Sequence, residues 1–262
     1  MNDFLNVTVL AILQGVAEFL PVSSSGHLVI GQHLLGMNAP GLRLDVFLHV
    51  GTLLAIFAYY RKRLCALAAD CCAGRRAAWT YLGLLALSTL PAVLFYFCFN
   101  STLSATFETV RTVGVFLVFT GLILTATRFL PQGNAPLTLF RVILMGCAQA
   151  LALFPGVSRS GMTLAAARAG RLAPEAAAEF SFLMSTPLIL GAALLELVNG
   201  LTKTTPGGTP DVSWGLTLYG TVLAALVGYG ALALLVRTLK SRWFWLFGPY
   251  CATVGLLTAF FC

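Results

Sequence analysis

The sequence predicts an all-α polytopic membrane protein: an inverted-topology repeat of six transmembrane helices plus two re-entrant helical hairpins. Three observations predict it. Of 262 residues, 58% are hydrophobic and only 10% charged, with a mean hydropathy of +0.89, against about a quarter charged in soluble domains. The stretch from Gln14 to His27, QGVAEFLPVSSSGH, recurs as QALALFPGVSRSGMT from Gln149 to Thr163. At that offset Gln14/Gln149, Ala17/Ala152, Phe19/Phe154, Val22/Val157, Ser23/Ser158, Ser25/Ser160 and Gly26/Gly161 are identical pairs, which marks an internal duplication. Each copy is then followed by three full-length apolar segments, an odd number, so the second copy must enter the membrane upside down relative to the first.

In chain order, residues 4–19 are apolar with helical period but stop at Pro21, too few for a span of about 20 residues. Residues 23–36 form a second short helix, opened by Ser23, Ser24 and Ser25 as N-cap candidates and closed by Gly36. Two half-length helices joined at LPVSSS make a re-entrant hairpin, and such broken backbone is tolerated at membrane depth only where protein or a wet cavity satisfies it. Full spans follow at 44–60, at 79–98 with an expected kink at Pro91, and at 112–129. The turn-rich PQGNAP at 131–136 ends the first unit. The second unit repeats the plan with short helices at 137–153 and 158–170 around Pro155-Gly156, then spans at 174–198, 214–237 and 243–261. The chain is thus one integral membrane domain of two inverted repeats, about 1–130 and 136–262.

The basic residues fix an orientation. Arg61, Lys62, Arg63, Arg75 and Arg76 face one acid, Asp70, in the 61–76 loop, and Arg237, Lys240 and Arg242 gather in another. Both loops are expected to be cytoplasmic, leaving both termini and the 100–109 and 199–213 loops outside. Such juxtamembrane clustering accounts for the net charge of +7 without nucleic acid. The first helix lacks the n-region and cleavage site of a signal peptide. Seven cysteines show no CxxC pair, so they are expected to serve as small apolar residues, not as a zinc or disulfide framework.

The two breaks carry the chemistry. A serine and glycine turn leading into a helix N-terminus offers backbone N–H groups, hydroxyls and the positive end of the helix dipole, which together suit an anion. The phosphate-binding candidates are Ser23, Ser25 and Gly26 in the first turn and Gly156, Ser158, Arg159, Ser160, Gly161 and Thr163 in the second. Arg159 brings a charged fork suited to phosphate oxygens, and an arginine at membrane depth is a functional candidate by default; the bland alternatives are snorkelling or pairing with Glu18. Glu18 lies one helical turn after Gln14, so both share a face. They could hold a divalent cation, or Glu18 could relay a proton. Ser24 is a candidate hydroxyl nucleophile or a mere N-cap, and His27 a candidate base, acid or nucleophile.

Other polar residues speak less clearly. His49 and Glu179, on the spans after each hairpin, could line a cavity or bond between helices. His33 and Asp45 look like interface residues, and Glu196 is expected to reach headgroups.

With EFLPVSSSGHL at 18–28 preceded by Gln14, PGVSRSGMT at 155–163 and EFSFL at 179–183 in place, the chain closely resembles the undecaprenyl-diphosphate phosphatases, or bacitracin-resistance proteins, over its whole length. The resemblance implies a bacterial inner-membrane enzyme that removes the terminal phosphate of a C55 isoprenyl diphosphate and recycles the lipid carrier for cell-wall polymers. The family's (E/Q)xxxE pattern falls on Gln14 and Glu18, its serine and histidine on Ser24 and His27, and its second-motif arginine on Arg159. Gln14 leaves one carboxylate on that helix, which weakens a metal model needing two. The resemblance also implies a site open to the periplasm, and leaves the oligomeric state open, a homodimer included.

The expected mechanism places the diphosphate of the lipid substrate between the two helix N-termini, clamped by Arg159, Ser158 and Ser160, with its tail in the membrane lipid. Ser24 or His27 attacks the terminal phosphorus, and Glu18 acts through Mg2+ or Ca2+ or as a proton relay. A different class remains in view: inverted repeats with broken helices also build transporters, so a carrier or flippase of the same lipid is the alternative.

Overall fold

The structure, a computed structural model, describes residues 3–37, 42–106, 109–202, 212–239 and 242–261. The expected external loop positions Glu108 and 203–211, and Lys240 in the second basic cluster, lie outside these residues.

The described chain is helical, with one isolated bridge, Ala135 to Leu172, as its only β pairing. Eleven α-helices follow one another: α1 (Asp3–Phe19), α2 (Ser24–Leu34), α3 (Leu42–Tyr59), α4 (Arg61–Cys72), α5 (Arg76–Thr106), α6 (Val110–Ala126), α7 (Leu139–Leu151), α8 (Arg159–Ala169), α9 (Pro174–Thr202), α10 (Trp214–Leu239) and α11 (Phe247–Phe261). Both short pairs expected around the two motifs are present, α1–α2 broken at 20–23 and α7–α8 broken at 152–158.

Among the described residues four helical stretches are long and apolar enough to cross a membrane: Arg76–Phe99, Val110–Phe129, Trp214–Leu239 and Trp243–Phe261. A fifth appears if Arg43–Tyr59 and Arg61–Cys72, bent by 72°, count as one. Phe97, Leu122, Phe140, Leu226 and Phe260 are 62–77% exposed. Side chains of that size in a near-continuous outer layer need lipid, not water, around them. The protein is a multi-pass membrane protein.

Two local expectations are corrected. Residues 61–76 are mostly helix, not loop: Tyr60 breaks direction, the backbone re-forms α4, and an Arg75–Asp70 ion pair of 2.8 Å sits at its end. Arg61 and Lys62 are exposed on this short helix, and charge content alone does not distinguish such a helix from a loop. In α5 the non-helical dihedrals fall at Phe99 (φ −128°, ψ 19°), not at Pro91, which the helix accommodates.

Packing interleaves the two halves of the chain. α1 lies on α10, and its counterpart α7 lies on α5; α3 meets α9. The tightest pair is α6 with α11, where glycines let the backbones touch. A Cβ on Gly121 would stand 2.6 Å from the Ala252 nitrogen, and one on Gly114 would stand 2.7 Å from the Gly255 carbonyl oxygen. Close approach of this kind is how helices gain van der Waals contact in lipid, where hydrophobic association between them is lost. The linker between the halves is pinned, Ala135 N–H donating to the Arg171 carbonyl at 2.8 Å and Arg141 Nε to the Gly170 carbonyl at 2.6 Å.

Replacing Gly121 with Val should force α6 and α11 apart and cost about 1–3 kcal/mol. Thermal denaturation in detergent, followed by size-exclusion fluorescence, should show a clearly lowered midpoint, whereas Gly83→Ala, a position open on all sides, should not.

Candidate active site

Each break sets one residue at the first position of a short helix. At the first, Ser23 is the N-cap: its Oγ accepts from Gly26 N–H at 3.2 Å. Ser24 is thereby released from capping and becomes the first residue of α2. At the second, Ser158 caps α8 by accepting from Gly161 N–H at 3.1 Å, and Arg159 becomes its first residue. Ser24 and Arg159 are therefore equivalent positions of the duplicated motif.

The turns touch directly. Ser160 Oγ donates to the Leu20 carbonyl at 3.2 Å, and a Cβ on Gly26 would stand 3.1 Å from Gly156 Cα. Behind the second turn, Thr120 of α6 donates through Oγ1 to the Gly156 carbonyl at 2.9 Å and accepts from Ser158 N–H at 3.1 Å. Gly156 has φ +94°, and an added Cβ would collide with the Val113 carbonyl, so only glycine fits. The first turn carries its positive φ at Ser23 instead, at 70°. A non-glycine residue there costs about 1–3 kcal/mol and is typical of functional turns.

Between the turns lies a cavity of about 160 Å3, lined by Glu18, Ser24, Ser25, His49, Gln149, Arg159 and Ser185 among others. Its centre is a bonded set. Arg159 Nη2 donates to Glu18 Oε1 in an ion pair. Ser24 Oγ donates to Glu18 Oε2 at 2.6 Å, and Gln14 Nε2 to the same oxygen at 3.1 Å. His49 Nε2 stands 3.7 Å from it. Glu18 and Arg159 are 5% and 16% exposed in their side chains. A serine hydroxyl held on a carboxylate oxygen, with a guanidinium beside it, is an activated-nucleophile arrangement facing an anion-binding group.

Among the described residues no cluster of three or more His, Cys, Asp or Glu side chains could hold a metal. The donor set at Gln14 and Glu18 does not fit one either. Both carboxylate oxygens already receive donors, and Gln14 turns its amide N–H2 toward Glu18. A cation held there would sit against the Arg159 guanidinium.

The sequence-predicted residues divide. Gln14, Glu18, Ser24, Ser25 and Arg159 meet at the cavity or its wall. His27 does not: its Nδ1 is 2.9 Å from the Ser23 carbonyl, its Nε2 is 2.9 Å from the Tyr250 hydroxyl, and the two rings stack. Its ring is directed to Tyr250 of α11 and does not line the cavity. Ser158, Ser160 and Thr163 are also turned inward, Thr163 bonding Ser181 Oγ at 2.6 Å, so their hydroxyls serve the fold. Ser23, Gly26, Gly156 and Gly161 shape the turns. Glu179 joins Arg63 Nε at 2.8 Å and the Tyr81 hydroxyl at 2.9 Å, an interhelical link away from the cavity. Asp45 accepts from Gln32 Nε2 at 2.9 Å, which links α3 to α2.

Two cavity residues had little or no role in the sequence reading. Gln149, repeat mate of Gln14, is 1% exposed, and its amide N and O have no partner among the described residues; Arg159 Nη1 and Gln14 Oε1 share that condition. The unpaired groups of Gln149 and Arg159, which both line the cavity, point to a polar ligand or water there. Ser185 comes from EFSFLMSTP, where only Glu179 stood out.

The family comparison decides between chemistries that this geometry leaves open: the family model described as bacitracin resistance protein BacA matches residues 7–257. The chain belongs to the BacA family. Among relatives, undecaprenyl-diphosphatase of Halothermothrix orenii is 34% identical, covering 97% of this chain and 96% of its own. Proteins of the same name from Desulfosudis oleivorans and Salinibacter ruber are 38% and 37% identical, covering 95% and 94% of each chain. The BacA match spans both turns, α1 through α11, so the site lies wholly inside the family's shared chain.

Equilibrium dialysis of the purified protein without substrate should show no stoichiometric Mg2+ or Ca2+. Retention of one ion per chain that disappears in Glu18→Gln would contradict the donor geometry.

Proposed function

We propose that this chain hydrolyses the terminal phosphate of undecaprenyl diphosphate, giving undecaprenyl phosphate and inorganic phosphate, and so recycles the lipid carrier for cell-wall synthesis and confers bacitracin resistance. The observation that carries the chemistry is the Ser24 hydroxyl 2.6 Å from the Glu18 carboxylate, opposite Arg159 and at a helix N-terminus. The relatives' name supplies the substrate. Transport of the same lipid is not favoured, since a binding site needs no hydroxyl aligned on a carboxylate.

The diphosphate enters the cavity between the N-termini of α2 and α8, whose dipoles and N–H groups favour it. Arg159 turns its unpartnered Nη1 to a phosphate oxygen and offsets the charge that grows on the terminal phosphoryl group. Ser24 Oγ attacks phosphorus while Glu18 Oε2 takes its proton; prenyl phosphate leaves, and water hydrolyses the phosphoserine. The cavity, about 160 Å3, is lined by polar groups of both turns. The headgroup fits, and the C55 tail stays in the bilayer. We place Mg2+ or Ca2+ on the diphosphate, not on the protein. His27 braces the first turn through the Ser23 carbonyl in this reading, a supporting role and not that of nucleophile.

For the architecture we favour six spans in two inverted repeats in the bacterial inner membrane, with both termini and the cavity mouth periplasmic. The reading is supported by the paired contacts, α1 on α10 beside α7 on α5. It is also supported by α6 and α11, whose glycines 114 and 121 face 255 and 248 in antiparallel order. An axis in the membrane plane relates helices in that way. The basic residues of α4 and its flanks set the cytoplasmic side.

Detergent-purified protein should release phosphate from undecaprenyl diphosphate. Ser24→Ala and Arg159→Ala should each lower kcat at least about 100-fold, and Glu18→Gln by about 100- to 10,000-fold. A wild type that releases none, or a Ser24→Ala protein as active as wild type, sinks the enzyme reading. For topology, cysteine placed at Arg75 should react with impermeant maleimide only after the inner membrane is opened.

A further inference from the structure

Two imidazoles stand near the breaks, and their surroundings differ in one respect. A backbone carbonyl only accepts, so the 2.9 Å contact from the Ser23 oxygen puts the proton of His27 on Nδ1. Its Nε2 then accepts from the Tyr250 hydroxyl at 2.9 Å. The ring has neither a lone pair nor an N–H to spare. His49 on α3 is anchored the same way, Nδ1 donating to the Asp45 carbonyl at 2.8 Å, which leaves the lone pair on Nε2. That nitrogen faces the cavity and lies 3.7 Å from Glu18 Oε2, with the side chain 31% exposed. A shift of under about 1 Å brings it to hydrogen-bond distance.

Glu18 Oε2 is the oxygen that meets the Ser24 hydroxyl. Once it has taken that proton it needs to lose it before the second half-reaction, in which water must be deprotonated. Position 14 holds glutamine, so Glu18 has no neighbouring carboxylate with which to share a proton. The charged groups around His49 are Glu18 from α1, Arg159 from α8 and Asp45 on its own helix, the last accepting from Gln32 of α2. The Arg159 guanidinium is a donor only. Among the described cavity-lining residues, only His49 can receive a proton from Glu18.

We propose that His49 is the proton exit of the site, its Nε2 taking from Glu18 the proton that Ser24 gives up. The inference rests on the reading of Ser24 as nucleophile. In the first half-reaction the Ser24 Oγ–P bond forms and the P–O bond to prenyl phosphate breaks, the electron pair leaving with prenyl phosphate. The proton travels from Oγ to Oε2 to Nε2. His49 then gives it to water in the cavity, which is the proton the overall hydrolysis releases. In the second half-reaction water attacks phosphorus and Ser24 departs. One water proton passes through the restored Glu18 carboxylate to Ser24 Oγ, and the other leaves on inorganic phosphate. His49 acts through Glu18 and is a positioning residue, not a catalytic one.

The test uses the full chain in detergent with undecaprenyl diphosphate labelled in its terminal phosphate, quenched in acid at short times. His49→Gln and His49→Asn should lower kcat about 100-fold with KM within about threefold. They should accumulate label on Ser24 toward one per chain, because serine phosphorylation still occurs once while hydrolysis stalls. Accumulated label also shows that the variant is folded. Turnover within about threefold of wild type in either variant overturns the inference, as does lost turnover without label in variants that elute like wild type. The parent reading fails separately, by label on another residue in the wild type or by undiminished turnover in Ser24→Ala.

Discussion

The pair that the rest of the structure depends on is Arg159 with Glu18. Each charge alone at this depth would carry a desolvation cost of several kcal/mol. They are tolerable together because the carboxylate also receives Ser24 and Gln14. Glu18 closes α1 and Arg159 opens α8, so the pair is also a tie between two segments 141 positions apart in sequence. Everything around it keeps those two ends in register: Ser160 on the Leu20 carbonyl, Thr120 behind Gly156, and the interleaving of α1 on α10 and α7 on α5. Breaking either charge strands the other, which costs about 3–5 kcal/mol where both are buried.

The backbone of the two turns makes that placement possible, by different means in each copy. In the second, Gly156 takes the positive φ at a point where a side chain would strike Val113. In the first, proline occupies the equivalent place and the positive φ moves to Ser23. Ser23 tolerates it because its hydroxyl caps Gly26 and its carbonyl is held twice, by His27 N–H at 3.1 Å and His27 Nδ1 at 2.9 Å. His27 is thus tied to the site through the backbone. Tyr250, which fixes the other side of the ring, belongs to α11, so the helix pair α6–α11 supports both turns, Thr120 from one member and Tyr250 from the other.

The breaks and the short helices were legible because proline, glycine and serine act locally, and local chemistry is what a sequence displays. The meeting of Glu18, Ser24 and Arg159 was legible for the same reason, each lying at a helix end beside a break. The division of labour within SSS and SRS was not. Which hydroxyl caps and which faces the cavity depends on a backbone φ, and Ser23 adopts one that its residue type disfavours. His27 read as a stronger candidate than His49, but the contacts of neither were legible, since the deciding partner of His27 is 223 positions away and that of His49 is a carboxylate on another helix. Arg61 to Cys72 read as loop because basic residues on a short amphipathic helix and in a loop look alike.

The asymmetry of the duplicated motif matches what the proposed reaction requires. The N-termini of α2 and α8 bring their two first residues, Ser24 and Arg159, to the one Glu18 carboxylate. If both were serine, the pocket would have two nucleophiles and no fixed cation; if both were arginine, an unreactive anion trap. Displacement at phosphorus needs the attacking oxygen on one side and charge compensation around the phosphoryl oxygens from another. Ser24 with Glu18 on one half, and Arg159 with no local acid on the other, meet that requirement. The leucine that faces Glu18 in the repeat, Leu153, belongs to the same logic. A second carboxylate there would pair Arg159 within its own turn and remove the reason for the halves to meet.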